Sequence, residues 1–450
     1  MSKAVPVRER DRLAAVSSLV RDARRSVAMY RDKYAGFDDN RIGSLEALRA
    51  LPIVTKEDLR ASFPDRLVNE RFEPASLYQV ATSGTSSRVM VFQDESKRDW
   101  DRAADLIVKY RTEGAGRVLT IPPDDCYERC GLKGEQATPI GRSIMEMMVS
   151  DGYRQMSARR EIVSRLASRL LWNDFVMPAP GVEGTAVGDA VINHYFEEFD
   201  RIKPGTIRAF PFYFWMLAMR SDGRKLDASV VLRPSGGKAS RVMADGIEQR
   251  LGARFRENYG TAELGTMAMD MAGARTQVLF EHLFILEFER AGVPVKPGEI
   301  GEMLVTDLRN HASPLIRYAV GDVGRVLNDG NRCGTGQLQF EVCGRMDETI
   351  VTRRQKIVTP DLVTDLFLAA PGIEFFRLIQ QDELRFLLEV VPGPLDPDVG
   401  TLQAGFRQLL QDNEVELLLR KVRRIPPEAS GKYRLVQSSS HQRFHDTARR

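Results

Sequence analysis

The chain has 450 residues, 43% of them hydrophobic and 28% charged, which excludes a disordered or fibrous protein and describes an ordinary globular one. Its 65 basic side chains against 62 acidic ones leave a net charge of +3, too even to mark a nucleic-acid-binding face. No apolar run reaches the ~20 residues a membrane-crossing helix needs, and no apolar signal segment opens the chain, so the reading is a cytoplasmic protein with no membrane partner.

A single core rarely grows beyond ~250–300 residues, so this chain should hold two or three. In chain order, Leu13, Val16, Val20 and Ala23 recur at helical spacing and predict an N-terminal helix. In LPIVTKEDLR, Thr55 followed three residues later by Asp58 predicts a helix start. Apolar runs predict strands at Leu77–Ala81, Val89–Phe92, Arg117–Ile121, Ile207–Phe210 and Ser229–Leu232. Helical stretches at Asp99–Arg111, Ser157–Leu171 and Ala186–Asp200 lie between several of them. That alternation predicts an α/β fold class with substantial parallel sheet. Between Leu279 and Leu327 the pattern turns to short strands (Phe284–Phe288, Gly301–Thr306, Gly324–Leu327) separated by Gly and Pro turns, a small β-rich subdomain at about 279–343. A boundary near Gly344-Arg345-Met346-Asp347 divides an N-terminal domain, 1–344, from a C-terminal domain of strand–helix–strand pattern, 345–450, whose polar tail after Gln437 is predicted to fray. The four cysteines (Cys126, Cys130, Cys333, Cys343) have no zinc-site spacing and read as free thiols.

Five short motifs carry candidate chemistry. Thr82-Ser83-Gly84-Thr85-Ser86-Ser87-Arg88 follows a strand, and its hydroxyl and backbone donors suit a polyphosphate, with Arg88 as counter-charge. Asn258-Tyr259-Gly260-Thr261-Ala262-Glu263 offers an aromatic face for a base, a hydroxyl for a phosphate oxygen and a carboxylate for Mg²⁺. Arg317-Tyr318-Ala319-Val320-Gly321-Asp322 ends in a carboxylate, placed by a glycine turn, of the kind that accepts both ribose hydroxyls in nucleotide sites. Gly344-Arg345-Met346-Asp347-Glu348 sits at the boundary, and Ser430-Gly431-Lys432 puts a lysine beside a flexible glycine. Each motif alone is more often a plain turn or a solvated face; their order is what points to one nucleotide-dependent chemistry.

In that order the motifs resemble the acyl-adenylate-forming superfamily, and more finely the phenylacetate–CoA ligases and the capsule-biosynthesis adenylating enzymes. MYRDKYAGFDD followed by SLEALRALPIVTKEDLRASFP is similar to that family's leading segment, so the resemblance covers nearly the whole chain. It implies a large N-terminal multi-subdomain α/β region and a small mobile α+β C-terminal domain. The implied activity is activation of a small-molecule carboxylic acid with ATP and Mg²⁺, with pyrophosphate release and transfer of the acyl group to CoA. By position it makes Thr82, Ser83, Gly84, Thr85, Ser86 and Arg88 the pyrophosphate loop and Ser235-Gly236-Gly237 the strand end facing adenine and acyl pocket. Tyr259 would lie against the adenine with Gly260 beside it, Thr261 near the α-phosphate and Glu263 on Mg²⁺. Asp322 would hold the ribose with help from Arg345, Asp347 would be the hinge, and Lys432 would be the catalytic lysine.

Departures from the family pattern are Ser87-Arg88 in place of Gly-Lys, Lys238 where relatives carry Glu, and Arg354 in Thr352-Arg353-Arg354-Gln355-Lys356 where a glycine approaches the pantetheine arm. They leave open an adenylating enzyme whose acceptor is an amine, hydroxyl or carrier protein, and a degenerate nucleotide binder. His282 is expected to be structural. The aromatic run Phe210–Trp215 falls where residues lining an acyl pocket are expected, with part of it core; any part that lines the pocket favours a small or flat acid. The acid and the oligomeric state are not legible.

Overall fold

The computed structural model describes residues 9–37, 44–82, 89–112, 116–121, 174–176, 189–270, 276–327, 337–428 and 432–448. The expected helix at Ser157–Leu171 lies outside them, as do Cys126, Cys130 and Cys333. None of the described helices is long and apolar enough to cross a membrane.

Helices α1 (Glu9–Ser26), α2 (Ala28–Lys33), α3 (Leu45–Arg49) and α4 (Lys56–Ser62) lead the chain. Of the four apolar positions of α1 that the spacing singled out, Val16, Val20 and Ala23 are fully buried and Leu13 is half-buried. Thr55 and Asp58 form the anticipated capping box on α4. Strands β1 (Tyr78–Ala81) and β2 (Met90–Gln93) pair as an antiparallel ribbon, and α5 (Glu95–Thr112) follows.

Next comes a parallel sheet of β3 (Arg117–Thr120), β4 (Asp174–Val176), β5 (Pro204–Ala209), β6 (Val231–Pro234) and β7 (Arg254–Phe255), in the order β4-β3-β5-β6-β7. Its helices are α6 (Asp189–Ile202), α7 (Pro211–Met219) and α8 (Arg241–Leu251). Strands β8 (Asn258–Thr261), β9 (Gly265–Asp270), β10 (Gln277–Leu279), β11 (Phe284–Arg290), β12 (Val293–Pro294), β13 (Gly301–Asp307), β14 (Tyr318–Val326) and β15 (Gln339–Arg345) form an antiparallel sheet in the order β12-β11-β13-β14-β15-β10-β9-β8. The β-rich segment thus begins at Asn258, ahead of the composition change at Leu279.

Beyond a short 3₁₀ turn at Met346–Glu348, β16 (Ile350–Val351) and β17 (Ile357–Val358) make a small hairpin. The rest of the C-terminal unit is α9 (Pro360–Leu368), α10 (Val399–Leu410) and a sheet of β18 (Ile373–Gln380), β19 (Arg385–Pro392), β20 (Glu416–Lys421) and β21 (Val436–Gln437), in the order β20-β19-β18-β21.

α7 is the aromatic run Pro211–Met219, apolar all round and buried from Pro211 to Ala218, as expected of a helix with no solvated face. Pro211 presets its first turn after extended Phe210. One hydrophobic cluster runs from the parallel sheet through α7 into the C-terminal sheet, including Ile207, Phe212, Phe214, Phe375 and Leu388.

The tail is a correction. His441–Ala448 is a 3₁₀ helix, and Phe444 is fully buried against Val323, Cys343 and Val351, with Arg443 paired to Glu383. A polar composition predicts fraying; one buried ring overrides it.

Candidate active site

In open α/β sheets, ligands bind in the crevice beyond the carboxyl ends of the strands. β6 ends at Pro234, and Ser235, Gly236 and Gly237 stand exposed just beyond, with the Ser235 amide donating to the Ala209 carbonyl at 2.9 Å. Gly236 has φ +72°, and a β-carbon there would lie 2.2 Å from the Phe210 ring, so this turn needs glycine on both counts. β7 leads directly into the β8–β9 hairpin, which carries Tyr259, Gly260, Thr261 and, at its turn, Glu263.

The Tyr259 hydroxyl donates to Asp322 Oδ2 at 2.6 Å, and its ring meets Phe340 edge-on. Burial and the Asp322 carboxylate push that phenol well above its ordinary pKa, so it stays a donor. Glu263 is 2% exposed, and its Oε1 accepts from the Tyr318 hydroxyl at 2.9 Å. Its other oxygen, Oε2, and the Thr261 hydroxyl are buried with no hydrogen-bond partner among the described residues. An unpartnered buried polar group costs ~1–3 kcal/mol, more if charged, so an unpartnered carboxylate oxygen on the same hairpin turn as an unpartnered hydroxyl is a fitting ligand for a cation. Mg²⁺ takes one or two protein carboxylates and completes its octahedron with waters and substrate phosphate; the single Glu263 fits that pattern.

Behind this turn runs a row of α5 side chains at helical spacing. The buried Lys97 ammonium donates to the Leu264 carbonyl at 2.7 Å and pairs with Asp101 at 2.7 Å and Asp307 at 3.0 Å. Asp105 accepts from the Thr266 hydroxyl at 2.7 Å. Burial pushes the Asp101 carboxyl up to about 6. None of these residues stood out in the sequence, because a Lys-x₃-Asp-x₃-Asp row reads as a solvated helix face.

Asp322 is not in a turn as expected: it lies within β14, where the pairing with β13 slips between Glu302 and Leu304. Such bulges re-aim side chains next to functional sites. Arg345, opposite Asp322 on β15, donates to Asp322 Oδ1 at 2.9 Å. Gly321 has φ +81°, and a β-carbon there would lie 3.0 Å from Lys56 Nζ and 3.2 Å from the Arg345 guanidinium. Lys56 therefore enters the site, carried there because Val54 bridges to Tyr318 and sets the first turn of α4 against β14. Burial and Arg345 hold its ammonium below its ordinary pKa, opposed by Glu263, Asp322 and Asp347. The sequence offered Lys56 only as part of a helix start; a long-range strand contact gives it a second role.

Arg317, first residue of the RYxxGD motif, is 2% exposed and turned away from the site. It pairs with Glu287 and Glu289 and donates to the carbonyls of Arg49 and Leu51, tying β11 to the segment before α4.

From the C-terminal unit, Lys432, Tyr433 and Arg434 lead into β21. Tyr433 packs on Phe212 with ring centroids 4.0 Å apart. Arg434 donates to the Asp347 carbonyl at 2.8 Å and lies 3.4 Å from its carboxylate. Asp347 in turn lies 3.6 Å from Arg345. A polar chain thus runs from Arg434, two residues after Lys432, through Asp347 to Arg345, Asp322 and Tyr259. Of the predicted phosphate loop only Thr82 is described, its hydroxyl accepting from the Val89 amide at 3.0 Å; Ser83, Gly84, Thr85, Ser86 and Arg88 lie outside the described residues, as do Ser430 and Gly431.

Of the three departures, Ser87-Arg88 lies outside the described residues and the other two have places. Lys238 pairs with buried Glu257 at 2.5 Å, one residue before β8. In the β16–β17 turn the left-handed position is Gln355, φ +63°, and Arg354 is exposed, so no unusual backbone is forced on Arg354. Arg353 is bound bidentate to Asp412 at 2.6 and 2.8 Å, which fixes the turn to α10's end. His282 packs beside Trp100 and Phe280.

No protein-family model matches the chain. It is 23% identical over 373 residues to the phenylacetate-coenzyme A ligase of Escherichia coli (strain K12), covering 77% of this chain and 73% of that protein. In structure it is similar to a 2-hydroxyisobutyryl-CoA ligase in the postadenylation state with 2-HIB-AMP, with TM-score 0.70, 18% identity, and 99% and 93% of the two chains covered. Against the same ligase with 2-HIB-AMP and CoA in the thioesterification state the TM-score is 0.55, at 19% identity, over 92% and 86% of the chains. At these identities the likeness establishes the fold.

Proposed function

We propose that this chain, phenylacetate–CoA ligase-like in sequence and acyl-adenylate-forming in fold, activates a carboxylic acid with ATP, releases pyrophosphate and passes the acyl group to CoA. The observation that carries the reading is convergence: Lys56, the β8–β9 turn, Asp322 and Arg345 meet at one place, and the chain beside Lys432 is tied to it.

A carboxylate is a poor acyl donor because oxide is a poor leaving group. Its oxygen attacks the α-phosphorus of ATP, the bond to the pyrophosphate oxygen breaks, and the acid now carries AMP as leaving group. The obstacle is an anion approaching a polyanion, so preorganised positive charge and positioning supply most of the rate. Lys432 is assigned to the carboxylate and α-phosphate, and Lys56, beside Gly321, adds a second cation. Each Asp322 oxygen already accepts one bond, from Tyr259 and from Arg345, and a carboxylate has about four acceptor sites. Two remain for ribose hydroxyls. Glu263 Oε2 and the Thr261 hydroxyl would hold Mg²⁺ and a phosphate oxygen; the ion supplies charge screening for the incoming anion. In the second step a thiol attacks the acyl carbon and AMP departs, with the C-terminal unit turning about Asp347 to admit it.

A second reading, which Arg354 in place of a glycine leaves open, keeps the adenylate and passes the acyl group to an amine, hydroxyl or carrier protein. Pyrophosphate exchange with a panel of small acids tests adenylation; adding CoA afterwards and assaying thioester separates the acceptors.

A further inference from the structure

We infer that Phe212 is a positioning residue for Lys432, acting through a ring cluster that latches the lysine-bearing segment onto the N-terminal region. The inference rests on the adenylation reading above.

The geometry is specific to this segment. β21 is anchored in the C-terminal sheet beside β18, with the Leu378 amide donating to the Leu435 carbonyl at 2.8 Å. Tyr433 and Arg434, just before that anchor, turn toward residues outside the sheet. Tyr433 meets two rings from opposite sides of the boundary: Phe212 of α7, at 4.0 Å between centroids, and Phe375 of β18, at 5.4 Å with the planes nearly perpendicular. Phe212 and Phe375 also meet each other, at 4.3 Å. Three mutual contacts fix the Tyr433 ring in position, and the backbone of residue 432 follows it. On the other side Arg434 is held by Asp347. The two residues after Lys432 are thus held by one apolar and one polar tie that reach Phe212 and Asp347 outside the C-terminal sheet, while the Lys432 carbonyl accepts from the Glu428 amide at 2.8 Å.

Phe212 itself is spent in this contact. Its neighbours in α7 have other partners: Trp215 donates to the Glu374 carbonyl at 2.8 Å, Phe214 packs on Phe255, and Tyr213 stacks with Phe210. Trp215, together with Arg220 just after α7, which pairs with Glu374 at 2.9 Å, ties α7 to β18 without Phe212, so removing its ring frees Tyr433 while leaving the two units docked. Aromatic pairs of this kind add a modest increment beyond the area they bury, enough to hold a short segment and little enough to release it in a later step.

Phe212→Ala, Tyr433→Ala and Tyr433→Phe test this in the full chain. Hydrogen exchange should rise in a peptide spanning Lys432–Gln437 for both alanine variants while β19 and β20 stay protected; Tyr433→Phe, which keeps the ring, should stay closer to the parent than Tyr433→Ala. Pyrophosphate exchange should fall at least about tenfold in kcat with the KM for the acid unchanged, since ~1 Å of misplacement can cost up to ~10²-fold. Unchanged protection at 432–437 overturns the latch. So does a loss that appears only as a higher KM for the acid, which would make Phe212 a pocket wall. If the parent itself exchanges with no acid, the adenylation reading fails, yet the hydrogen-exchange comparison still decides whether the rings hold the segment.

Discussion

Lys56 Nζ sits 3.0 Å from the point a β-carbon would occupy on Gly321, one residue before the carboxylate assigned to the ribose. Gly321→Ala therefore strikes twice. At φ +81° a side chain costs ~1–2 kcal/mol of backbone strain, and the new methyl displaces Lys56 or Arg345. We expect the KM for ATP to rise about tenfold or more with only a modest fall in Tm. An unchanged KM for ATP would separate this strand from the nucleotide.

Lys56→Ala should weaken ATP binding and slow adenylation without unfolding the chain, because the lysine is partly exposed and its burial is an electrostatic cost to the free protein. Tm should hold or rise slightly while kcat/KM for ATP falls. A large loss of Tm at unchanged kcat/KM would make Lys56 structural.

Lys97→Met leaves Asp101 and Asp307 facing each other without their shared cation. Breaking a buried ion pair by removing one partner costs ~3–5 kcal/mol, so we expect a lower midpoint in urea unfolding. Combining it with Asp307→Asn removes one orphaned charge and should recover part of the loss. Recovery of stability without recovery of exchange activity would assign Lys97 to holding the Glu263 turn as well as to the fold.

Glu302 gives a pH signature. Burial and nearby Glu289 push it up to about 7 from 4.5, with Lys56 opposing. Its folded value lies above its unfolded value, so between those two the native state keeps a proton that the unfolded chain releases. Its effect on stability is nil below about pH 4.5 and increasingly unfavourable as pH rises through 7. Glu302→Gln should therefore be neutral at pH 4 and stabilising by roughly 2–3 kcal/mol at pH 8, read from urea midpoints. His445, 3.6 Å away, is held below its ordinary pKa by burial and is neutral at the upper end of that range. Equal effects at both pH values would show that this carboxyl does not titrate with folding.

Much of the fold was legible because its signals are local. The α1 stripe, the Thr55–Asp58 box and the strand runs around Val118 and Ile207 fall where spacing put them. Of the site, the carboxylates and aromatics carried by short motifs were legible too: Tyr259, Asp322 and Arg345 do meet, and Glu263 and Thr261 share their hairpin. What was hidden depends on contacts between residues far apart in sequence. Lys56 enters through the Val54–Tyr318 bridge, Lys97 through the packing of α5 on the β8–β9 turn, and the tail is ordered by one ring at Phe444. The same holds for Arg317, which looked like part of a nucleotide motif and is a clamp between β11 and the chain before α4.

The most direct test is pyrophosphate exchange by Lys432→Ala against the parent, with an acid the parent accepts. Lys432 lies in a surface segment that adds little core, so the variant should keep its Tm. Exchange should fall by about 10²–10³-fold, the cost of removing one preorganised group that stabilises transition-state charge. A folded variant that exchanges at the parental rate would contradict the assignment of carboxylate activation to this site.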